Sequence, residues 1–372
     1  MLNISYQIDG VNESYVALKT KDYFMNDIQL KEVNLNFDPK ILTLVVSYKC
    51  TASCSNCCFS CNPSRSEDLE LTDGIKIIKE AVLSFPKLSL LVITGGEPFM
   101  RGQEYLITLI QTAKKHNLHI RVVTNAYWAT TRKKAHVKLK KLIDAGLNEI
   151  NFSTGDDHLK FVPIHNVINA TIESSRLQMQ SVINIEGHSN SQFTPDKFRN
   201  IKQFKEYFKN KNEFIPKIIN GIWVPLNNPG NIEYDEKGLK RAQEFKKGCE
   251  SIINTISVFP DKTLKSCCGL TVNKIKEFKL GYLDGTNMKD LYVQQFQNMI
   301  NIWLLLDGPY KVFNSLSKFN PILNSYKRSH ACQVCSLLFN NKTVRQTLIN
   351  NYQKLIPEIV FKYQIHKQLN NF

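Results

Sequence analysis

The segment Cys50-Thr-Ala-Ser-Cys54-Ser-Asn-Cys57 directly follows the apolar run Ile41-Leu42-Thr43-Leu44-Val45-Val46, and it restricts the folds open to this chain more than any other feature. Three thiolates on one loop hold three irons of a 4Fe-4S cube and leave the fourth iron open to a small molecule, whereas a cluster that only carries electrons normally takes four. An open iron implies catalysis. Zinc is the competing reading, because Cys-x-x-Cys inside the cell is often a zinc knuckle or a redox pair. No histidine lies close enough in sequence to complete a zinc site locally.

The 372 residues are 42% hydrophobic and 22% charged, enough to bury the core of one barrel and a smaller appended domain. The start, Met1-Leu-Asn-Ile-Ser-Tyr-Gln-Ile-Asp9, has no basic stretch followed by an apolar one, and no other run is long enough to span a bilayer. A cytoplasmic protein without a membrane partner is expected. Ten cysteines grouped at ligand spacings favour metal sites over a disulfide scaffold. The net charge of +15 would steer anionic partners. No basic module interleaved with aromatics accompanies it, so no nucleic-acid partner is expected.

Short apolar runs at Ile41–Ser47, Leu90–Thr94, Ile120–Thr124, Glu149–Ser153, Val182–Glu186 and Ile218–Val224 alternate with amphipathic stretches at Thr72–Phe85, Gln103–Lys115, Arg132–Ala145 and Pro163–Leu177. This repeated βα pattern predicts an α/β fold, an open (β/α)6 partial TIM-type barrel whose chemistry sits at the C-terminal ends of its strands. Expected boundaries are an N-terminal extension at 1–40, the barrel at 41–230, a second domain at 231–340 and a helical tail at 341–372. Residues 1–40 are expected to be too short for a separate winged-helix recognition domain.

Thr94-Gly95-Gly96-Glu97-Pro98 ends the second apolar run, one strand-helix unit after the cysteine loop. With it, the chain resembles the radical S-adenosylmethionine (SAM) enzymes. The resemblance implies SAM as cofactor, chelated through its amino and carboxylate groups by the open iron of a 4Fe-4S cluster on Cys50, Cys54 and Cys57. It implies that Thr94, Gly95, Gly96 and Glu97 lie at the SAM amino group. Asn125 or Thr124 would reach the ribose or carboxylate, Ser153 the same region, and Glu186 a polar atom of the cofactor. Asp156, Asp157 and His158 form a polar cluster after strand 4. They read either as acids at a helix N-terminus or as an acid/base group facing substrate or SAM.

Further along, Cys249 precedes an expected hairpin of Ile252–Val258 and Thr263–Lys265 turning at Pro260-Asp261, followed by Cys267-Cys268 and, much later, Cys332-Gln-Val-Cys335. Cys249, Cys267, Cys332 and Cys335 supply four thiolates, which would saturate a second 4Fe-4S cube; zinc is again the alternative. The arrangement resembles the twitch domain, a shortened SPASM domain that follows the barrel in many peptide-modifying radical SAM enzymes.

The cysteine loop extended through Cys58-Phe59-Ser60-Cys61-Asn-Pro63, the segment Asn125-Ala-Tyr-Trp128, His158 with Phe161-Val162, the Cys267-Cys268 pair and Cys332-Gln-Val-Cys335-Ser-Leu-Leu-Phe-Asn340 together resemble the radical SAM peptidyl epimerase of epipeptide biosynthesis. The family pattern has an aspartate where this chain has Gly155. The resemblance implies conversion of L- to D-residues in a ribosomally made precursor peptide. A SAM-derived radical would remove a Cα hydrogen, with electrons from a donor such as flavodoxin or ferredoxin. Cys267 would then be a cluster ligand and Cys268 the thiol that returns hydrogen to the opposite face. A thioether- or carbon-carbon-crosslinking maturase is the nearest alternative, and a non-catalytic metal-binding protein is one of another class. Cys58 and Cys61 remain spare, either packing the loop or tuning its redox surroundings.

Overall fold

The computed structural model describes residues 37–187, 191–222, 224, 248–326, 328 and 330–370. Six parallel strands are found, each within a few residues of its expected place: β1 (Ile41–Val45), β2 (Leu90–Thr94), β3 (His119–Thr124), β4 (Glu149–Gly155), β5 (Gln180–Gly187) and β6 (Lys217–Ile222). Between them lie α1 (Leu71–Ser84), α2 (Gln103–Lys114), α3 (Arg132–Ala145), α4 (Ile164–Arg176), α5 (Pro195–Arg199) and α6 (Lys202–Phe208).

The apolar pattern accounts for the layering. A parallel strand covered on both faces is nearly continuous in apolar residues, and Leu42, Leu44 and Val45 of β1 are fully buried. Helix α1 buries Gly74, Ile77, Ile78 and Ala81, spaced to form one stripe against the sheet. Thr131 caps α3 by accepting from Lys134 N.

After the barrel strands come β7 (Thr255–Val258), β8 (Thr263–Lys265) and β9 (Lys279–Tyr282), then α7 (Met288–Gln294), α8 (Met299–Ser317), α9 (Ala331–Asn340) and α10 (Lys342–Asn370). The expected hairpin is present as antiparallel β7 and β8. It does not stand apart from the barrel, because β7 pairs in parallel with β1, from Ile41↔Thr255 to Leu44↔Val258. One unclosed nine-stranded sheet results, in the order β6-β5-β4-β3-β2-β1-β7-β8-β9. The strand begins later than Ile252 because Ile253 takes a left-handed conformation, and the Asn254 carbonyl accepts from Lys40 and Ile41 N–H groups instead. The helical region packs back on the barrel through Phe85, the residue that follows α1, and Tyr292 of α7, edge to face at 4.9 Å. The expected boundary near residue 230 lies outside the described residues.

Candidate active site

The cysteine loop leaves β1 and folds across the C-terminal ends of the strands. Its turns are closed by Cys57 N–H to Cys54 O (3.2 Å) and Ser60 N–H to Cys57 O (3.0 Å), and Cys50 N–H donates to Asn62 O. Below it is a cavity of about 280 Å³, walled by Cys50, Cys54 and Cys57 on one side and by residues of β2 to β6 and Leu270 on the others. Thr94, Gly95, Gly96, Asn125, Ser153 and Glu186 all reach this wall. The strands bring them together by register: Ser153 of β4 stands opposite Asn184 of β5, and Gly155 opposite Glu186.

Glu97 is not among the residues that line the cavity. It is completely buried, and its carboxylate accepts hydrogen bonds from Thr124 Oγ1 (2.8 and 2.9 Å), Asn125 N (2.8 Å) and Phe99 N (3.1 Å). Burial pushes its carboxyl up to about 7, against the opposing pull of those donors. Thr124 Oγ1 also accepts from Trp128 Nε1 at 3.1 Å, and Trp128 stacks on Phe99 at 4.4 Å. Glu97 therefore knits β2 to β3 beneath the cavity.

The two glycines are required by the loop itself. A Cβ on Gly96 would lie 2.1 Å from the Lys49 carbonyl oxygen, and one on Gly95 would lie 2.5 Å from that of Ser47. Gly96 N–H donates to Ser47 O and Glu97 N–H to Lys49 O, so the strand end and the cysteine loop are in direct backbone contact.

Hydrogen bonds from the chain point at two of the three loop sulfurs. Asn125 Nδ2 lies 3.7 Å from Cys50 Sγ and 3.1 Å from Thr51 Oγ1, and Ala52 N lies 3.4 Å from Cys50 Sγ. Cys61 N–H donates to Cys57 Sγ at 3.3 Å. The Cys61 thiol is the main cause holding Cys57 down at about 6, whereas burial raises Cys50 to about 11.

The β4 loop contributes Asp157 and His158. Asp157 accepts from both Ser55 N (2.8 Å) and Ser55 Oγ (2.5 Å), in the middle of the cysteine loop and 102 residues away in sequence. Burial pushes the Asp157 carboxyl upward, and hydrogen bonds from Lys160 and Ser55 outweigh it to hold the group below its ordinary value. His158 meets Glu186 Oε1 through its backbone N (3.3 Å) and its Nδ1 (2.8 Å). Glu186 Oε2 and Asn184 Oδ1 are buried without a hydrogen-bond partner among the described residues, and both residues line the cavity. Sequence reasoning missed Asn184 entirely. An inward-facing position two residues before Glu186 on the same strand was the available signal.

The second cysteine set is gathered where β8, α8 and α9 meet. The sulfurs of Cys267 and Cys332 lie 3.2 and 3.1 Å from the point a Cβ on Gly269 would occupy. Cys335 follows one helical turn after Cys332 on α9, and Cys249 is held to α8 by its N–H on Leu304 O. Burial first, and then neighbouring cysteine charge including that of Cys249, raises the Cys267, Cys332 and Cys335 thiols. Among the described residues, no three His, Cys, Asp or Glu side chains converge on a point for a single metal ion. Cys268 is half-buried; desolvation pushes its thiol up, and hydrogen bonds with Thr43 of β1 and Thr255 of β7 pull it down. Cys58 lies on the cavity wall beside Cys54 and Cys57.

A family model described as the radical SAM superfamily matches residues 44–175. Residues 44–175 form a radical SAM domain. The match runs from the end of β1 through the cysteine loop and β2 to β4, and it stops before Glu186 and the second cysteine set. A protein of Bacillus subtilis (strain 168), described as "Putative peptide biosynthesis protein YydG", is 23% identical over 319 residues, covering 81% of this chain and 92% of its own length. A solved structure described as hexahistidine-tagged anSMEcpe with bound AdoMet superposes with a TM-score of 0.50 at 13% identity, covering 88% of this chain and 99% of that one. At that identity the likeness concerns the fold alone.

A radical SAM domain implies SAM and a 4Fe-4S cluster, and the cavity fits both. Three thiols of one loop border it, and two buried acceptors on β5 await donors of the kind that SAM hydroxyl and amino groups offer. No helix among the described residues is long and apolar enough to cross a membrane.

Proposed function

We propose that this protein is a radical SAM maturase of a ribosomally made precursor peptide, and that it converts L-residues to D-residues. The peptide substrate is carried by one observation, the relative described as a peptide biosynthesis protein that is matched over 81% of the chain. When bound, the cluster and SAM supply a carbon radical able to remove an unreactive hydrogen.

The chain's own residues place and protect that chemistry. Cys50, Cys54 and Cys57 hold the cluster, Asn125 and Ala52 direct N–H groups at Cys50, and Glu186, Asn184 and Ser153 bind the polar atoms of SAM. The loop folded over the strand ends excludes water. Cys249, Cys267, Cys332 and Cys335 hold a second 4Fe-4S cluster in a twitch-like domain spanning about residues 231–340. Cys268, bonded to Thr43 and Thr255 and kept neutral by burial, is the thiol that returns a hydrogen atom to the far face of the planar Cα centre. One electron from a flavodoxin- or ferredoxin-type donor and one proton then restore the Cys268 thiol. In this reading the protein works in the cytoplasm.

A second reading, oxidative crosslinking of the peptide, draws on the same auxiliary cysteine set, because a cluster there would accept the electron that crosslinking releases. Reaction of the reconstituted enzyme with its peptide in heavy water, followed by mass spectrometry and chiral amino-acid analysis, separates the two. One deuterium per modified site with inverted configuration supports epimerisation; loss of two hydrogens with no deuterium overturns it in favour of crosslinking.

A further inference from the structure

Asp157 sits at the end of β4, yet both of its hydrogen bonds to Ser55 go to the stretch between Cys54 and Cys57. Only 13% of its side chain is exposed, and Lys160 pairs with its second oxygen. The next residue, His158, grips Glu186 through two nitrogens, and Glu186 presents its unpartnered Oε2 in the cavity wall. A continuous chain of contacts thus runs from the cysteine loop through Asp157 and His158 to the floor of the cofactor cavity.

Several features make this more than an incidental surface contact. Ser55 itself is exposed, and the turn that carries it is closed by Cys57 N–H on Cys54 O, so Asp157 supplies the long-range contact to this tip. A carboxylate that accepts a backbone N–H and a hydroxyl from one residue fixes both the position and the rotation of that residue. Groups that orient metal ligands from outside the ligand set typically change metal affinity by about 10- to 100-fold when removed.

We propose that Asp157 is a positioning residue that clamps the cysteine loop over the barrel, and that with His158 it couples the set of the cluster ligands to occupancy of the cavity at Glu186. The inference rests on the radical SAM reading of the cysteine loop and is independent of whether the peptide is epimerised or crosslinked.

The test uses the full chain with its clusters reconstituted anaerobically. Asp157→Ala removes Oδ2, the single oxygen that accepts from both Ser55 N–H and Ser55 Oγ, Asp157→Asn keeps one oxygen able to accept from Ser55, and Ser55→Ala removes the hydroxyl alone. Release of iron to a ferrous chelator is followed with and without SAM, and the electron paramagnetic resonance spectrum of the reduced protein is recorded in both states. In the wild type SAM should slow iron release from one cluster and change the spectrum. In Asp157→Ala release from that cluster should be about tenfold faster or more, and SAM should protect it less. Asp157→Asn should recover most of the protection, and Asp157→Ala/Ser55→Ala should be no worse than Asp157→Ala alone. The apo-proteins should unfold at matching denaturant concentrations, which separates a clamp from general destabilisation. Wild-type release rates and SAM protection in Asp157→Ala would overturn the clamp, as would an Asp157→Asn variant as impaired as Asp157→Ala. A wild type that takes up no cluster would instead overturn the radical SAM reading itself.

Discussion

Thr124 Oγ1 lies 2.8 and 2.9 Å from the two carboxylate oxygens of Glu97, so the ends of β2 and β3 are joined by a buried polar contact directly under the cofactor cavity. The fold thereby spends a glutamate of its glycine-rich segment on rigidity. Asn125 gains its orientation from the same group, since its N–H donates to Glu97 while its Nδ2 reaches Cys50 Sγ.

Burial of Glu97 gives a pH signature in the apo-protein. Its carboxyl titrates at about 7 in the folded chain against an ordinary value of 4.5. The raised value means that the folded state favours the protonated form. The stabilisation is therefore complete below pH 4.5 and is lost as the pH rises through 7. Over that window the wild type should lose about 3 kcal/mol relative to Glu97→Gln, which cannot titrate. Urea unfolding of both proteins at pH 4.5 and pH 8 measures this; parallel pH profiles would mean that Glu97 is charged throughout.

Gly96→Ala tests the contact between strand end and loop. The added methyl would lie 2.1 Å from Lys49 O and 3.1 Å from Cys50 Cβ, and backbone rather than a flexible side chain must move to relieve it. The expected result is loss of most iron at the first site on reconstitution, with the second site still loaded. Normal iron content and normal cluster absorption would show that the loop yields without cost.

Gly155→Ala should leave the clusters in place and weaken SAM binding. Gly155 has φ +139°, and a Cβ there would lie 2.2 Å from Glu186 Cδ, so the carboxylate must leave its place in the cavity wall. Loss of one well-placed buried acceptor, together with strain from the positive φ, predicts about tenfold weaker SAM binding. Calorimetric titration of the reconstituted variant measures it, and unchanged affinity would remove Glu186 from the SAM site.

The neighbouring cysteines should separate cleanly. Anaerobic reconstitution should give about eight irons per chain, two cubes by ligand count. Cys332→Ala/Cys335→Ala should lose about half, and Cys267→Ala should lose iron at the same site. Cys268→Ala should keep both clusters and still form 5′-deoxyadenosine with peptide, but it should lose D-residue formation. Iron loss in Cys268→Ala would exchange the roles of the pair, and zinc in place of iron would overturn the second cluster.

The amino-acid sequence by itself determined the local elements. Period and apolar runs placed six parallel strands and four main helices, because burial on both faces of a strand or along one stripe of a helix is written in neighbouring residues. The Cys50–Cys57 loop was equally legible, since its spacing is local and its position after β1 follows from the strand. Tertiary structure decided which side chains share a site and which serve beneath it. Nothing near Glu97 in sequence indicates that Thr124 and Asn125 will enclose it. Nothing near Asp157 reveals Ser55, 102 residues earlier; its place before a short helical turn suggested a cap or an acid/base group, and neither names that partner. The junction of β7 with β1 was also invisible, because a hairpin read locally does not disclose the third strand it will join. These outcomes depend on register and on the meeting of distant segments. They become fixed only when the sheet forms and buried polar groups must find partners across it.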